Sequence, residues 1–96
     1  MNYTFHPHAE KELEQIENYY DSIREESGDR FRAEIQLAIS HILKFPNGCQ
    51  ELSENVRRYN MNRFPYGVIY YIDSDEVFIL AVTHERREPD YWTYRT

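Results

Sequence analysis

Tyr66-Gly67-Val68-Ile69-Tyr70-Tyr71-Ile72-Asp73-Ser74-Asp75-Glu76-Val77-Phe78-Ile79-Leu80-Ala81-Val82-Thr83 reads as two runs of β-branched and aromatic residues around four polar ones. Such runs suit a pleated, half-buried surface, and Asp73 to Glu76 is a turn composition, so the stretch predicts a β-hairpin. Val77 to Thr83 is apolar on both of its faces, which makes it a central strand of the sheet. Upstream, Tyr59 and Met61 alternate with Arg58, Asn60 and Asn62, a period of two that adds a third strand with one apolar and one polar, cationic face. Pro65 breaks that run before the hairpin begins.

The N-terminal half has the period of a helix. Ala9, Leu13, Ile16, Tyr19 or Tyr20, and Ile23 recur at helical spacing, and Glu10, Glu12, Glu14, Glu17 and Asp21 fill the intervals. Pro7 stands where a helix tolerates proline best, at its first turn. Ser27-Gly28-Asp29 offers a stop and a new N-cap, and a second stripe follows through Phe31, Ile35, Ala38, Ile39, Ile42 and Phe45 up to Pro46-Asn47-Gly48. So short a connection makes the two helices antiparallel neighbours. Tyr3-Thr4-Phe5 is a strand candidate ahead of them, and Pro89-Asp90-Tyr91-Trp92 is a candidate last helical turn. The order β-α-α-β-β-β predicts an α+β fold, a helical hairpin packed on one face of a small antiparallel sheet, with the opposite face open for a partner.

The chain has 96 residues, 41% of them hydrophobic and 29% charged, which fits one domain spanning residues 1–96. Its formal charge of −6 opposes non-specific adhesion to nucleic acid or to anionic membrane. The longest apolar run, Val77 to Val82, is far short of the roughly 20 residues that cross a bilayer. The single Cys49 has no partner for an internal disulfide, and Met1 to His8 lacks the pattern of a secretion signal, so a reducing cytoplasm is the expected location. His6 and His8 have no third ligand nearby in sequence, and no glycine-rich phosphate loop is present, so neither metal nor cofactor is expected.

Nine of the eleven cations are arginine, and six of the nine fall within the last 40 residues, whereas the acidic excess lies in the helices. Arg57, Arg58 and Arg63 accompany the third-from-last strand; Arg86, Arg87 and Arg95 follow the last. These arginines either pair with helical glutamates or an acidic protein, or hold phosphate through their planar forks. Cleavage of RNA needs a base, an acid and cations around the phosphorane, for which Arg58, His84, Arg87 and Tyr91 are the candidates, with Glu51, Glu54 and Glu85 as available carboxylates. Arg63 and Arg86 are candidate contacts to a target or to phosphate. A histidine at a strand end is more often a structural residue, and Tyr91-Trp92 more often closes a core edge.

Arg63-Phe64-Pro65-Tyr66 with Val68-Ile69-Tyr70, then Leu80-Ala81-Val82-Thr83-His84-Glu85-Arg86-Arg87-Glu88-Pro89-Asp90-Tyr91-Trp92, resembles the RelE/ParE superfamily of bacterial toxins. Phe5-His6-Pro7-His8-Ala9 and Tyr19-Tyr20 are similar to that family as well. The resemblance implies a toxin of a type II toxin–antitoxin pair, of the kind called plasmid stabilisation proteins, with the fold deduced above. It further implies a cognate antitoxin that wraps the toxin and alone links it to operator DNA. RelE-like members cut mRNA on the ribosome, and ParE-like members act on DNA gyrase. Here Tyr66-Gly67 and Glu85 stand where the nucleases carry basic residues, and only Arg58, Arg87 and Tyr91 match their pattern. The resemblance therefore implies ParE-like action by elimination, with an mRNA interferase and a non-toxic antitoxin-binding module as alternatives. A homodimer is compatible with the sequence, but no feature requires one.

Overall fold

The computed structural model describes residues 1–96. Strand β1 (Asn2–Phe5) leads into helix α1 (Pro7–Ile23), helix α2 (Ser27–Lys44) and strands β2 (Gln50–Ser53), β3 (Val56–Asn60), β4 (Tyr66–Asp73) and β5 (Glu76–His84). A 3-10 turn, Thr93–Arg95, closes the chain. The strands form one sheet in the order β1-β5-β4-β3-β2, antiparallel throughout except that β1 runs parallel to β5.

The expected hairpin of helices on one sheet face is present. Helix α1 starts as anticipated, with Pro7 in its first turn and the His6 ring nitrogen Nδ1 accepting from the His8 N–H at 3.1 Å. The break between helices lies earlier than Ser27-Gly28-Asp29 suggests. Glu26 adopts the left-handed conformation at φ 67, and Gly28 already lies in α2, its N–H donating to the Asp21 carboxylate at 2.7 Å. Gly28 is needed for closeness, because a Cβ there would stand 2.5 Å from the Glu17 carbonyl oxygen.

Ala9, Leu13 and Ile16 of α1 and Phe31, Ile35, Ala38, Ile39 and Ile42 of α2 are buried against Val68, Tyr70, Val77, Ile79 and Val82 of the sheet. At the helix-hairpin tip Phe31 meets Tyr20, Phe64 and Tyr66, ring centres 5.0–5.7 Å apart.

Four further features depart from the sequence expectation. A further strand, β2, pairs with β3; its four residues are all exposed, so no apolar pattern announces it. The edge pairing of β1 with β5 makes the sheet mixed. The face away from the helices is also not open. Val56, Ile69, Leu80 and Ala81 form a second small core there, and Trp92, 5% exposed, covers it. Leu80 and Ala81 both face this side because the register slips by one residue opposite Ile69, a β-bulge. The last helical turn falls at Thr93–Arg95, just past the expected Pro89 to Trp92.

Candidate functional site

Strand β1 ends its pairing at Phe5 opposite Ile79, so the outer edge of β5 beyond that point has no strand to bond. Side chains complete it. The Val82 N–H donates to Glu12 Oε1 at 3.1 Å, and Arg95 Nη1 donates to the Leu80 carbonyl at 2.8 Å. Glu12 is also the partner of Arg95, Nη1 to Oε1 at 2.9 Å, with the two side chains 14% and 6% exposed. The Tyr91 hydroxyl donates to the other Glu12 oxygen at 2.7 Å. One carboxylate of α1 thus joins β5 to the C-terminal segment, in the way buried charges must be paired and hydrogen-bonded.

Around this anchor the candidate residues fall into place. Arg87 stacks on the Tyr91 ring, its guanidinium carbon 3.9 Å from the ring centre. Tyr91, His84 and Arg87 line a notch of about 170 Å³ with Glu12, Gln15, Tyr66 and Thr83. That volume is below the roughly 300 Å³ at which small-molecule pockets begin, so the notch suits a side chain or a single anionic group. Arg58 approaches across the outer face: its guanidinium lies over Gly67, where a Cβ would be 2.6 Å from it. Gly67 pairs with Thr83 on β5, which places Arg58 one rung from the notch.

The chemistry of these groups is constrained. The Arg86 N–H donates to His84 Nδ1 at 3.0 Å, and the imidazole meets the Tyr66 ring edge-on at 5.0 Å, so one ring nitrogen is already occupied. Tyr91 is held above its ordinary value by burial first and by the Glu12 hydrogen bond, with Thr83 and Arg87 pulling the other way. It is therefore a bound proton donor rather than a base. Arg63 does not join the group; its guanidinium lies 3.3 Å from Glu34 on α2, against the helices.

Pairing with helical glutamates accounts for Arg32 on Glu17, Arg63 on Glu34 and Arg95 on Glu12, while Arg57 takes Glu51 on β2. Arg58, Arg86 and Arg87 have no carboxylate within 4.0 Å, and Arg58 binds the Asn60 side chain instead. All three stand at the same end of the sheet. Glu12 and Arg95, which build the site's frame, were not among the residues expected from sequence. Glu12 lies three residues after Ala9 and four before Ile16, in phase with the apolar stripe, and that phase was the available signal.

Residues 3–89 match the family model described as ParE toxin of type II toxin-antitoxin system, parDE. Nine chains of solved structures match the fold. One, described as the chromosomal ParDE TA system from P. aeruginosa, is 18% identical with a TM-score of 0.76, covering 88% of this chain and 95% of its own. At that identity the likeness is one of fold. No curated protein sequence matches. No helix is long and apolar enough to cross a membrane.

Proposed function

The chain belongs to the ParE toxin family of type II toxin–antitoxin systems, and on that premise we propose that it arrests growth by binding a protein target, DNA gyrase. A cognate antitoxin neutralises it and supplies the only link to operator DNA. The observation that carries this reading is the state of the candidate catalytic groups. The His84 Nδ1 and the Tyr91 hydroxyl are both committed to bonds within the fold, while Arg58, Arg86 and Arg87 are left without acidic partners at one end of the sheet. That arrangement favours recognition of an acidic protein surface over proton transfer. In a chain of net charge −6, these three arginines form a local exception that the overall field does not extend; Arg24 and Arg30 also lack a carboxylate partner but belong to the helical hairpin.

A second reading is kept because His84, Arg87 and Tyr91 border one notch with Arg58 a rung away, which also suits a phosphate held for cleavage on the ribosome. Inducing the chain alone in bacteria, with 5′ ends of ribosome-bound mRNA mapped as growth is followed, separates the two. The expected outcome is arrest with intact mRNA, and inhibition of gyrase supercoiling by the purified chain. Arg87→Ala is expected to weaken inhibition about tenfold, the effect of losing an interface arginine worth 1–2 kcal/mol, whereas His84→Ala leaves it unchanged. New cleavage ends inside translated codons would overturn the gyrase reading in favour of an mRNA interferase. No arrest at all would point to a non-toxic antitoxin-binding module.

A further inference from the structure

The Glu85 N–H donates to the Pro65 carbonyl at 2.8 Å, and beyond it no backbone hydrogen bond ties the C-terminal segment to the sheet. Its remaining backbone bonds are local turns: Arg87 to His84, Thr93 to Asp90, Arg95 to Trp92, Thr96 to Thr93. Trp92 nevertheless covers the second core. Side chains alone hold the segment down: Arg95 and Tyr91 on Glu12, Arg95 on the Leu80 carbonyl, and the Tyr94 hydroxyl on His8 Nδ1. A segment attached in this way can open locally at a free energy below that of the whole fold.

The far end of the segment is seated among bases. The His6 and His8 rings are 5.2 Å apart, and the Tyr94 ring stands 6.5 Å from the first and 5.7 Å from the second. The Arg95 guanidinium lies 5.5 Å from the Tyr94 ring centre and lines the same groove as His6. We propose that residues 86–96 form a strap that mild acid releases from the outer sheet face, the charging of His6 repelling the Arg95 guanidinium, which takes the adjoining Tyr94 with it, while the helices and strands stay folded. The open form presents Val56, Ile69, Leu80 and Ala81, an apolar face that the closed form hides.

The groups facing His6 set the sign. From α1 come His8 and Glu12; from the strap, Tyr94 and Arg95; and β4 adds Tyr71 and Asp73 to the wall of the shared groove. Glu12 favours the charged imidazole, but its oxygens already serve Arg95, Tyr91 and the Val82 N–H. Burial first, then Arg95 and His8, hold His6 below its ordinary 6.5. The strapped form therefore binds fewer protons than the open one, where the cover of the strap and Arg95 are gone while His8 stays in place on α1. Strapping is fully favoured above the ordinary value and is lost as pH falls below it, by at most about tenfold in population per pH unit for one group.

Trp92 is the only tryptophan, so its emission reports on the strap. Taking the full chain from pH about 8 to about 5, the range over which histidine titrates, is expected to red-shift Trp92 emission with far-UV circular dichroism unchanged. His6→Asn, which keeps an N-cap acceptor, is expected to flatten that shift. In the wild-type chain, the His6 ring resonances followed by NMR are expected to titrate with the same midpoint as the emission, a readout that does not depend on the variant folding. Constant emission, a red shift that accompanies loss of the circular dichroism signal, an undiminished shift in His6→Asn, or unequal midpoints would each overturn the proposal.

Discussion

Gly28 and Gly67 are both buried, and a methyl group added at each meets a different kind of obstacle. At Gly28 it would stand 2.5 Å from the Glu17 backbone oxygen and 2.7 Å from the Asp21 carboxylate, so the two helices themselves must part. Gly28→Ala is expected to cost about 1–3 kcal/mol, the usual range for overpacking, read as a lower urea midpoint. At Gly67 the obstacle is the Arg58 guanidinium, the end of a flexible side chain that can swing away. Gly67→Ala is expected to change stability by less than about 1 kcal/mol yet to weaken target inhibition as Arg58→Ala does, because it unseats the same group. Equal losses of stability in the two variants would contradict this assignment of Gly67 to Arg58. Residue by residue, the arginine cluster of the C-terminal 40 residues was legible because type and clustering carry the signal, but not which of its members ion pairs take up: Arg57, Arg63 and Arg95 have carboxylate partners, and Arg58, Arg86 and Arg87 do not. The role of Glu12 was less so, since a glutamate in phase with an apolar stripe gives no hint of which distant arginine it will meet.

Among the elements, both helices were legible because their periods are unbroken over many residues, and the β4–β5 hairpin because two runs of β-branched and aromatic residues flank a polar turn. Strand β2 was not, because its exposed Gln50 to Ser53 is held by pairing with β3 rather than by burial. The parallel seat of β1 was equally hidden: a four-residue strand encodes no direction, and the position depends on how the helical hairpin returns the chain across the sheet. The bulge at Leu80-Ala81 looks like uninterrupted strand in sequence, because both residues remain apolar. What fixes the helical hairpin on the sheet is the tip cluster, where fully buried Phe31 touches Tyr20, Phe64 and Tyr66. Phe31→Ala is expected to destabilise the fold by about 3–5 kcal/mol, measured by urea denaturation. A loss under about 1 kcal/mol would mean that the tip collapses to fill the space and that the hairpin is held mainly by the aliphatic stripe.

At the scale of the whole molecule, an acidic chain with few lysines relies on tyrosine as its large amphipathic residue, nine in all. Burial raises Tyr20, Tyr66, Tyr70 and Tyr91 above the ordinary 10.0. Tyr70 is the extreme case: it is fully buried, its hydroxyl donates to the Pro46 carbonyl at 2.8 Å, and it ties β4 to the chain leaving α2. A group whose folded value lies above its unfolded one keeps its proton in the fold while the unfolded chain gives it up. The stability it contributes is therefore complete below the ordinary value and is lost as pH rises past it. Unfolding free energy is expected to be flat from neutrality to pH about 9 and to fall steeply above about 10, where tyrosine begins to ionise. Tyr70→Phe removes one of these groups together with its hydrogen bond. It is expected to be about 1 kcal/mol less stable at neutral pH but to show a shallower alkaline decline. Urea unfolding of both chains across that range decides the matter, since an unchanged alkaline slope in Tyr70→Phe would place the sensitivity on the less buried tyrosines of the tip and the strap.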